Sequence, residues 1–288
     1  MMKLIAIDMD GTLLSSNLTI SSENLQAIRE AQNQGNVVMI CSGRAPENIL
    51  ELLDEYRLSC PIGASNGTVV MIEGKEPQMI SLTNEEVQET AKILETYRAP
   101  YKLYTNKGIW VPEHWMDHVQ EALNANQELK NRLTDLEYRQ LTEQPKETVN
   151  IRLFRNVQDV INRSDLFVQK FFILQFQPQM REKMMKDLQN LCGVAVTTSG
   201  IYNIEVMNKN GNKGFGLKTV ARHFNIPIEN TIAIGDNFND VPMMEAAGLS
   251  VAMGNAEPEV KEICDVVTKT NDEHGVAYAI QQYVLQSK

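Results

Sequence analysis

The sequence predicts an α/β protein with a doubly wound, Rossmann-like core on a parallel sheet, into which a separate α+β domain is inserted. Three observations lead to this prediction. Apolar runs of strand length alternate with helical periodicity at both ends of the chain. The middle of the chain has a different pattern, with short strands and hairpin turns. Finally, 288 residues with 43% hydrophobic content are enough for two modest domains.

The first elements follow βαβ order. The run "KLIAID" is apolar up to its final aspartate, and the next segment carries Leu25, Ile28 and Ala31 on one helical face before Gly35 ends it. "NVVMICSG" is a second strand, and the helix after it has Pro46 in its first turn. Strands that are apolar throughout, rather than alternating, are buried on both faces. They therefore predict a parallel sheet covered by helices.

The middle of the chain is predicted to form an inserted domain. It opens with a capping box, in which Thr83 and Glu86 stand three residues apart before a helix. Helices and strands then follow in the order αββ, αβαβ, αββ, with a helix near residues 157–168 and a strand "TVNIRLF" before it. This order predicts a mixed α+β sheet. We expect residues 83–207 to form this domain, with a cap function.

After residue 208 the first pattern returns. It includes the helix "GFGLKTVARHFN", the strand "NTIAIGD", the helix "DVPMMEAAG" and the strand "LSVAMG", and it ends in the helix "GVAYAIQQYVL". Two distant segments, residues 1–82 and 208–288, are therefore predicted to build one doubly wound core.

Composition argues against several classes of protein. The formal net charge of −10 disfavours general attraction to nucleic acid or to anionic membranes. No apolar stretch has the length of a membrane span, and "MMKLIAID" reaches an aspartate too early for a signal-peptide core. The four cysteines lack Cys-x-x-Cys spacing, which argues against a disulfide framework and predicts reduced, mostly buried thiols. We expect a cytoplasmic protein.

Acidic and polar side chains are predicted to meet at one edge of the core sheet, because ligands of open α/β sheets bind at the carboxyl ends of the strands. The residues delivered to this edge are Asp8, Asp10, Ser42, Gly43, Arg44, Lys213, Asp236, Asn239 and Asp240.

The two aspartates that follow the first strand suggest a cation. Side chains two positions apart on an extended segment point to the same side, so Asp8 and Asp10 would repel each other without a cation between them. Together with Asp236 they offer the oxygen ligands that Mg²⁺ prefers. A phosphate group fits the same site, because a metal, Lys213, the Ser42 hydroxyl and backbone N–H groups all favour its oxygens.

Simpler interpretations exist for each residue taken alone. Asp and Asn at strand ends often form turns, Ser42 is a common type of helix cap, and most lysines are only solvated. Asn66-Gly67 is interpreted as a turn. The pair His114 and His118 lacks the glutamate of a zinc-protease motif, so we interpret it as an exposed helix face. "GNKGFGLKT" lacks the spacing of a Walker-type nucleotide loop.

Four motifs, in order, resemble those of the haloacid dehalogenase superfamily, and within it the Cof-type phosphatases with a type IIB cap. They are "DMDGTLL", "CSGR", "NKG" and "GDNFNDVPMMEAAG", and the inserted domain lies between the second and the third. The resemblance covers nearly the whole chain. It implies a Mg²⁺-dependent phosphatase that acts on small phosphomonoesters, such as sugar phosphates or phosphorylated cofactors.

The resemblance also implies a role for each matching residue. Asp8 would be the nucleophile, forming an aspartyl-phosphate, and a magnesium ligand. Asp10 would be the general acid and base and would also bind the metal through its backbone carbonyl. Asp236 would bind the metal directly, and Asp240 would assist the metal site through the residues that bind the metal. The transferring phosphoryl group would be held by Met9, Thr12, Ser42, Gly43, Lys213 and Asn239.

Two other functions use the same motifs. A phosphomutase would use the same aspartate, metal and cap type, and would return the phosphoryl group to a second sugar oxygen. A non-catalytic phosphate-ligand sensor is a further alternative, although intact Asp8, Asp10 and Lys213 argue against it. The motifs alone do not separate the phosphatase from the mutase.

Overall fold

A computed structural model of the chain describes residues 2–75, 77–133 and 151–285. It divides into two compact units, the first made of Met1–Met79 and Gly211–Lys288 and the second of Ile80–Asn210. The predicted boundaries lay after residues 82 and 207, and the observed ones lie after residues 79 and 210. The second unit is thus an insertion into the sequence of the first.

The elements are numbered in chain order. The strands are β1 (Leu4–Asp8), β2 (Val37–Cys41), β3 (Ile62–Ala64), β4 (Val69–Met71), β5 (Gln78–Met79), β6 (Tyr101–Thr105), β7 (Gly108–Pro112), β8 (Ile151–Phe154), β9 (Val168–Leu174), β10 (Val194–Thr197), β11 (Asn203–Asn208), β12 (Thr231–Gly235), β13 (Leu249–Ala252) and β14 (Val266–Val267). The α-helices are α1 (Ser22–Asn33), α2 (Pro46–Glu55), α3 (Asn84–Thr96), α4 (Trp115–Asn124), α5 (Gln127–Arg132), α6 (Gln158–Ile161), α7 (Pro178–Gln189), α8 (Lys213–His223), α9 (Val241–Ala246), α10 (Pro258–Ile263) and α11 (Gly275–Ile280). Short 3-10 helices cover Ile228–Asn230 and Asn271–Glu273, and α11 continues as a π-helix over Gln281–Leu285.

The first unit is built on an eight-stranded sheet in the order β14-β13-β12-β1-β2-β3-β4-β5. Strand β1 pairs in parallel with both β2 and β12, and every residue of β1 and of β12 is buried. Strands β3, β4 and β5 pair with one another in antiparallel fashion, as the turn signals between them indicated. This arrangement confirms the predicted α/β fold class with a parallel core sheet.

Side-chain caps fix the starts of two helices in the first unit. The Ser21 hydroxyl accepts a hydrogen bond from the Asn24 backbone N–H at 3.2 Å, which begins α1. The Asn212 carboxamide oxygen accepts from the Phe215 N–H at 3.0 Å, which begins α8. Because this cap places Lys213 at the first position of α8, it also fixes where the Lys213 side chain starts.

The second unit contains a six-stranded sheet in the order β10-β11-β9-β6-β7-β8. Its pairs are antiparallel except for β7 with β8. Helix α3 carries the predicted capping box: Thr83 accepts from the Glu86 N–H at 3.2 Å, and Glu86 accepts from the Thr83 N–H at 2.8 Å. Val87, Phe171 and Met184 belong to the apolar cluster between helices and sheet. The unit therefore has the mixed α+β character that its sequence predicts.

Two details differ from the sequence prediction, and part of a third prediction cannot be compared with the structure. The helix expected near residues 157–168 covers only Gln158–Ile161, because the polar residues after it form turns before β9 begins at Val168. Helix α5 was not predicted; the Asn126 side chain caps it by accepting from the Leu129 N–H at 3.0 Å. The first residues of the predicted strand "TVNIRLF" lie outside the described residues.

Two expectations from composition can be compared with the structure. Within the described residues, no helix combines the length and the apolar character that crossing a bilayer requires. All four cysteines are free thiols, as expected, but only Cys41 is fully buried; Cys60 and Cys264 are partly buried and Cys192 is exposed. The expectation of mostly buried cysteines is therefore only partly correct.

Candidate active site

Asp8 is the last residue of β1, in the middle of the parallel sheet, and only 5% of its surface is exposed. The chain turns sharply after it: the Leu13 N–H donates to the Asp8 carbonyl at 3.2 Å, and the Leu14 N–H donates to the Met9 carbonyl at 2.9 Å. The Met9 side chain is fully buried. The strand thus presents one carboxylate at its end before the backbone folds back.

Lys213 joins Asp8 to Asp240. Its Nζ lies 2.5 Å from Asp8 Oδ1 and 2.5 Å from Asp240 Oδ1, and Lys213 and Asp240 are completely buried. Burial alone would lower the pKa of Lys213, but the charges of Asp240 and Asp8 hold that pKa above its usual value. Burial, followed by the charge of Asp240, raises the pKa of Asp8 well above its usual range, although Lys213 opposes this shift.

Asp240 has both carboxylate oxygens engaged. Oδ1 accepts from Lys213, while Oδ2 accepts from the backbone N–H groups of Asp236 at 2.9 Å and Asn237 at 3.0 Å. Asp240 therefore ties the loop that follows β12 to the lysine. Neither oxygen of Asp240 is left without a hydrogen-bond donor.

Asp236 follows β12 and contacts the loop that follows β1. Its Oδ1 accepts from the Thr12 hydroxyl at 2.7 Å. A Cβ on Gly11 would lie 2.5 Å from Asp236 Oδ2, and Gly11 has a φ of +80°, so only glycine fits at this position. Burial and the charge of Asp240 raise the pKa of Asp236 to about 6.

The carboxylates of Asp8, Asp236 and Asp240 form a compact acidic cluster. Each offers an oxygen, and these oxygens lie within 4.8 Å of one another; within the described residues this is the one group of its kind. Three carboxylates face a single lysine in this cluster, which leaves a surplus of negative charge. Oxygen donors of this kind suit a hard divalent cation such as Mg²⁺.

The Asp10 side chain takes a different direction from the one expected. The sequence predicted that it would lie beside the Asp8 carboxylate, but β1 ends at Asp8 and 52% of the Asp10 side chain is exposed. The Arg44 guanidinium donates to both Asp10 oxygens, from Nε at 2.9 Å and from Nη2 at 2.6 Å. The repulsion expected between Asp8 and Asp10 is therefore avoided by a change of backbone direction and a guanidinium partner.

Ser42 and Gly43 lie in the loop between β2 and α2, and a neighbouring turn holds this loop in place. The buried Ser42 hydroxyl accepts from the Arg44 N–H at 3.2 Å. The Ser65 N–H donates to the Arg44 carbonyl and the Asn66 N–H donates to the Ser42 carbonyl, each at 2.8 Å. The loop is thus fixed by backbone contacts at both ends.

Asn66 and Asn239 form a contact that sequence reasoning missed. The Asn239 amide nitrogen donates to Asn66 Oδ1 at 3.2 Å, and both side chains are buried. Ser65 and Asn66 have φ values of +49° and +61°, in the left-handed region that few residues other than glycine adopt. Asparagine beside Gly67 did signal such a turn, but no pattern in the sequence pairs it with a residue 173 positions away.

The structure brings five of the predicted site residues together. Lys213 contacts Asp8 and Asp240, Thr12 contacts Asp236, and the three aspartates form one cluster. Ser42 and Asn239 are connected through Asn66. The histidines set aside in the sequence lie in the second unit, with ring centroids 4.4 Å apart, at the start of α4. Burial and the neighbouring His114 lower the pKa of His118.

Comparison with known proteins identifies the family. The family model described as haloacid dehalogenase-like hydrolase matches residues 5–280. The chain is a haloacid dehalogenase-like hydrolase. This membership confirms the resemblance seen in the four motifs and the predicted enzyme class, a phosphoric monoester hydrolase.

Relatives of this hydrolase are named phosphatases. Phosphatase YwpJ of Bacillus subtilis (strain 168) is 31% identical over 283 residues, which covers 97% of this chain and 99% of the relative. The 5-amino-6-(5-phospho-D-ribitylamino)uracil phosphatase YwtE of the same organism is 33% identical over 291 residues and covers 98% of each chain.

Solved structures of the superfamily have the same fold. A haloacid dehalogenase-like hydrolase from B. subtilis matches this hydrolase with a TM-score of 0.85 and 29% identity, covering 98% of this chain and 100% of that one. The subclass IIB sugar phosphatase BT4131 matches with a TM-score of 0.76 and 24% identity, covering 97% of this chain and 98% of that one. At that identity the second likeness concerns the fold alone.

Proposed function

We propose that this hydrolase is a Mg²⁺-dependent phosphatase that cleaves small phosphomonoesters through an aspartyl-phosphate intermediate on Asp8. One observation carries the proposal: a buried carboxylate at the end of a central parallel strand lies 2.5 Å from a buried lysine, within a cluster of acidic oxygens. A nucleophile, a cation for the phosphoryl oxygens and metal ligands are thus available within one site.

The donor set fits Mg²⁺. The cluster contains only carboxylate oxygens, and its surplus negative charge calls for a cation. Asp8 and Asp236 would hold the ion through their side chains, with the backbone carbonyl of Asp10 as a further ligand. Asp240 would support these ligands, since both its oxygens already accept hydrogen bonds. When bound, Mg²⁺ neutralises charge on the phosphoryl oxygens and orients the phosphate.

In the first step of the proposed reaction, an Asp8 carboxylate oxygen attacks phosphorus. The bond from phosphorus to the ester oxygen breaks, and Asp10 gives its proton to the departing alcohol. Lys213 holds a phosphoryl oxygen through its ammonium group, and Ser42, Asn239 and the backbone N–H groups of Met9, Thr12 and Gly43 hold the others. The products of this step are the free alcohol and an Asp8 acyl phosphate.

In the second step, a water molecule attacks the phosphorus of the acyl phosphate. Asp10, now a carboxylate, takes the proton from this water, and the bond from phosphorus to the Asp8 oxygen breaks. Inorganic phosphate leaves, Asp8 returns to its carboxylate form and Asp10 is protonated again. Proton and charge therefore balance over the cycle.

The substrates we propose are small cytoplasmic phosphorylated metabolites, either sugar phosphates or phosphorylated cofactors. The relative named for 5-amino-6-(5-phospho-D-ribitylamino)uracil suggests that a phosphate on a polyol chain should be tested early. We assign substrate selection to the second unit, which is inserted in the sequence between the two segments of the first.

The proposal is tested by measuring phosphate release from a panel of sugar phosphates, nucleotides and phosphorylated cofactors, with Mg²⁺ and with EDTA. The Asp8→Asn protein is the blank, because it retains the shape of the side chain but cannot form the acyl phosphate. We expect Mg²⁺-dependent release that is absent from the blank. Isomerisation of a sugar phosphate with little free phosphate would indicate a mutase instead. Absence of phosphate release from every compound would contradict the proposal.

A further inference from the structure

The contact between Arg44 and Asp10 differs from an ordinary surface ion pair. Two separate guanidinium nitrogens donate to the two carboxylate oxygens, at 2.9 Å and 2.6 Å, so the pair is bidentate. Isolated exposed pairs contribute little and hold their partners loosely, but a bidentate pair fixes both position and orientation. Here 29% of the Arg44 side chain is exposed, against 52% of the Asp10 side chain.

The backbone of Arg44 is itself held. Its N–H donates to the Ser42 hydroxyl at 3.2 Å, and its carbonyl accepts from the Ser65 N–H at 2.8 Å. The guanidinium therefore extends from an anchored loop, whereas Asp10 lies in the turn that follows β1, beside Gly11 with its φ of +80°. Because its backbone is anchored, Arg44 can fix the position of the Asp10 carboxylate to which it donates.

We propose that Arg44 is a positioning residue that holds the Asp10 carboxyl group in place for proton transfer, an inference that rests on the proposed phosphatase function. A general acid must lie within hydrogen-bond reach of the leaving oxygen, and Asp10, on an exposed turn, has few other means of being fixed there. Each Asp10 oxygen accepts from one guanidinium nitrogen, and because a carboxyl oxygen has two lone pairs, either can carry the proton while both contacts are kept. No role of this kind follows from the four motifs, which assign no function to Arg44.

The proposal predicts an effect that depends on the leaving group. An alkyl phosphomonoester needs a proton on its departing alkoxide, whereas p-nitrophenyl phosphate releases a stable phenolate without one. The value of kcat/KM reports the steps up to the first irreversible departure of the alcohol, so it isolates this proton transfer from the later hydrolysis of the acyl phosphate. A residue that acts through Asp10 should matter for the first substrate and hardly at all for the second.

The experiment compares wild type, Arg44→Met and Arg44→Lys on p-nitrophenyl phosphate and on the alkyl phosphomonoester of the panel that wild type cleaves fastest. Because general acid catalysis contributes roughly 10²- to 10⁴-fold, misplacing the acid should lower kcat/KM for the alkyl ester by about 10- to 100-fold. The same substitution should change kcat/KM for p-nitrophenyl phosphate by less than about 3-fold. Lysine, which offers one point contact, should restore part of the loss.

A double-mutant cycle with Asp10→Ala separates action through Asp10 from direct contact with substrate. If Arg44 acts through Asp10, Arg44→Met should cost little further activity on the alkyl ester once Asp10 is absent. The matched control is Arg98→Met in the second unit, where Arg98 Nε and Nη2 also donate to a carboxylate, that of Glu121, at 3.1 and 2.9 Å. This control should leave both kcat/KM values unchanged, and thermal melts of all variants report whether they are folded.

The outcomes separate this inference from the function on which it rests. Absence of turnover by wild type would overturn the proposed function itself. If wild type turns over, three results would each overturn the positioning role and leave the proposed phosphatase function intact. They are equal losses of kcat/KM on both substrates, full additivity in the double-mutant cycle, and higher activity in Arg44→Met. If Arg44→Met does not fold, Arg44→Lys decides: full wild-type values on the alkyl ester would contradict the need for a two-point grip.

Discussion

Lys213 Nζ lies 2.5 Å from Asp8 Oδ1, although 205 positions of sequence separate the two residues. The lysine begins helix α8 and the aspartate ends strand β1, so the contact joins the two segments of the first unit at the candidate site. Both side chains are buried, and Asp240 completes the arrangement from the other side of the ammonium. The contact therefore has structural consequences as well as the proposed catalytic ones.

Removing the Lys213 charge should destabilise the fold. Lys213→Met leaves Asp8 and Asp240 buried without their cation, and breaking a buried ion pair on one side typically costs about 3–5 kcal/mol. The loss should be smaller at pH 5 than at pH 8, because burial already raises the pKa of Asp8 and removal of Lys213 takes away the charge that opposes this shift, so Asp8 is protonated more readily at the lower pH. Urea unfolding at both pH values measures the free energy of unfolding directly.

The control for this variant is Lys186→Met on α7. Lys186 pairs with Glu182 at 2.8 Å, but both side chains are largely exposed, so the free energy of unfolding should change by less than about 0.5 kcal/mol. Equal losses for the two lysine variants, or a Lys213 loss that is the same at both pH values, would contradict the electrostatic explanation.

The turn at Gly67 should not tolerate a methyl group. A Cβ at Gly67, whose φ is +79°, would lie 2.4 Å from the Asn212 carbonyl and 2.9 Å from the Lys213 Cα. Gly67→Ala should therefore unfold at a clearly lower temperature and should lose activity, because the start of α8 must shift. Gly35→Ala is the matched control: its φ is +84°, but nothing lies within 4 Å of the added atom.

The control separates backbone strain from steric overlap. An alanine in the left-handed region costs about 1–2 kcal/mol wherever it stands, so Gly35→Ala should show that loss with unchanged kcat. Thermal melts and steady-state kinetics of both variants provide the comparison. Similar behaviour of the two proteins would mean that the close approach of Gly67 to α8 is unimportant.

Asp236 should make the metal-free protein less stable as pH rises. Its pKa is about 6 in the folded protein against 3.8 ordinarily, so the folded state binds this proton more tightly than the unfolded state does. The free energy of unfolding should then fall as pH rises from about 4 to about 6, and the penalty should remain in full above that range. Asp236→Asn removes the charge and should raise the melting temperature in EDTA at pH 7 but not at pH 4.

Added Mg²⁺ should reverse the order of the melting temperatures of wild type and Asp236→Asn at pH 7. We expect added Mg²⁺ to raise the melting temperature of wild type at pH 7, and to affect Asp236→Asn much less, because a proposed ligand is missing. Thermal melts with EDTA and with Mg²⁺ at both pH values measure this. A gain in Asp236→Asn that did not depend on pH would argue against burial of its charge as the cause.

Asn66 should affect phosphate binding through Asn239. Asn239 is a proposed phosphate ligand, and loss of the 3.2 Å contact between the two carboxamides would let it turn away, so KM should rise by about 3- to 10-fold. Asn66→Gly and Asn66→Ala both remove the contact, but only alanine is strained at a φ of +61°. The two variants should therefore share the KM effect, while Asn66→Ala should melt at a lower temperature than Asn66→Gly. An unchanged KM in Asn66→Gly would show that Asn66 does not affect phosphate binding.

Asp10 should be required for rate but not for stability. Asp10→Asn should lower kcat on an alkyl phosphomonoester by roughly 10²- to 10⁴-fold, the usual contribution of a general acid or base. Its melting temperature should stay close to that of wild type, because half of the side chain is exposed. Near-normal turnover of either Asp10→Asn or Asp8→Asn would contradict the two-aspartate scheme.

Much of the fold could be predicted because its signals are local. Apolar runs identified β1 and β12 as strands buried on both faces, and the capping box at Thr83 placed the start of α3. Gly35, with a φ of +84°, likewise marked the end of α1 by a local signal. The helix predicted near residues 157–168 was too long compared with the observed α6, because turn-forming residues after Ile161 compete with a weak helical pattern.

The order of strands and motifs predicted most of the residues that lie at the candidate site, since parallel strands deliver their carboxyl ends to one edge of a sheet. The pairing of those side chains could be read from the folded structure alone. Asp10 faces Arg44 rather than Asp8, Asp240 has no free oxygen, and Asn66 meets Asn239. Such pairings depend on loop backbone angles and on contacts between segments far apart in the chain, and both are set when the whole unit packs rather than by any local pattern.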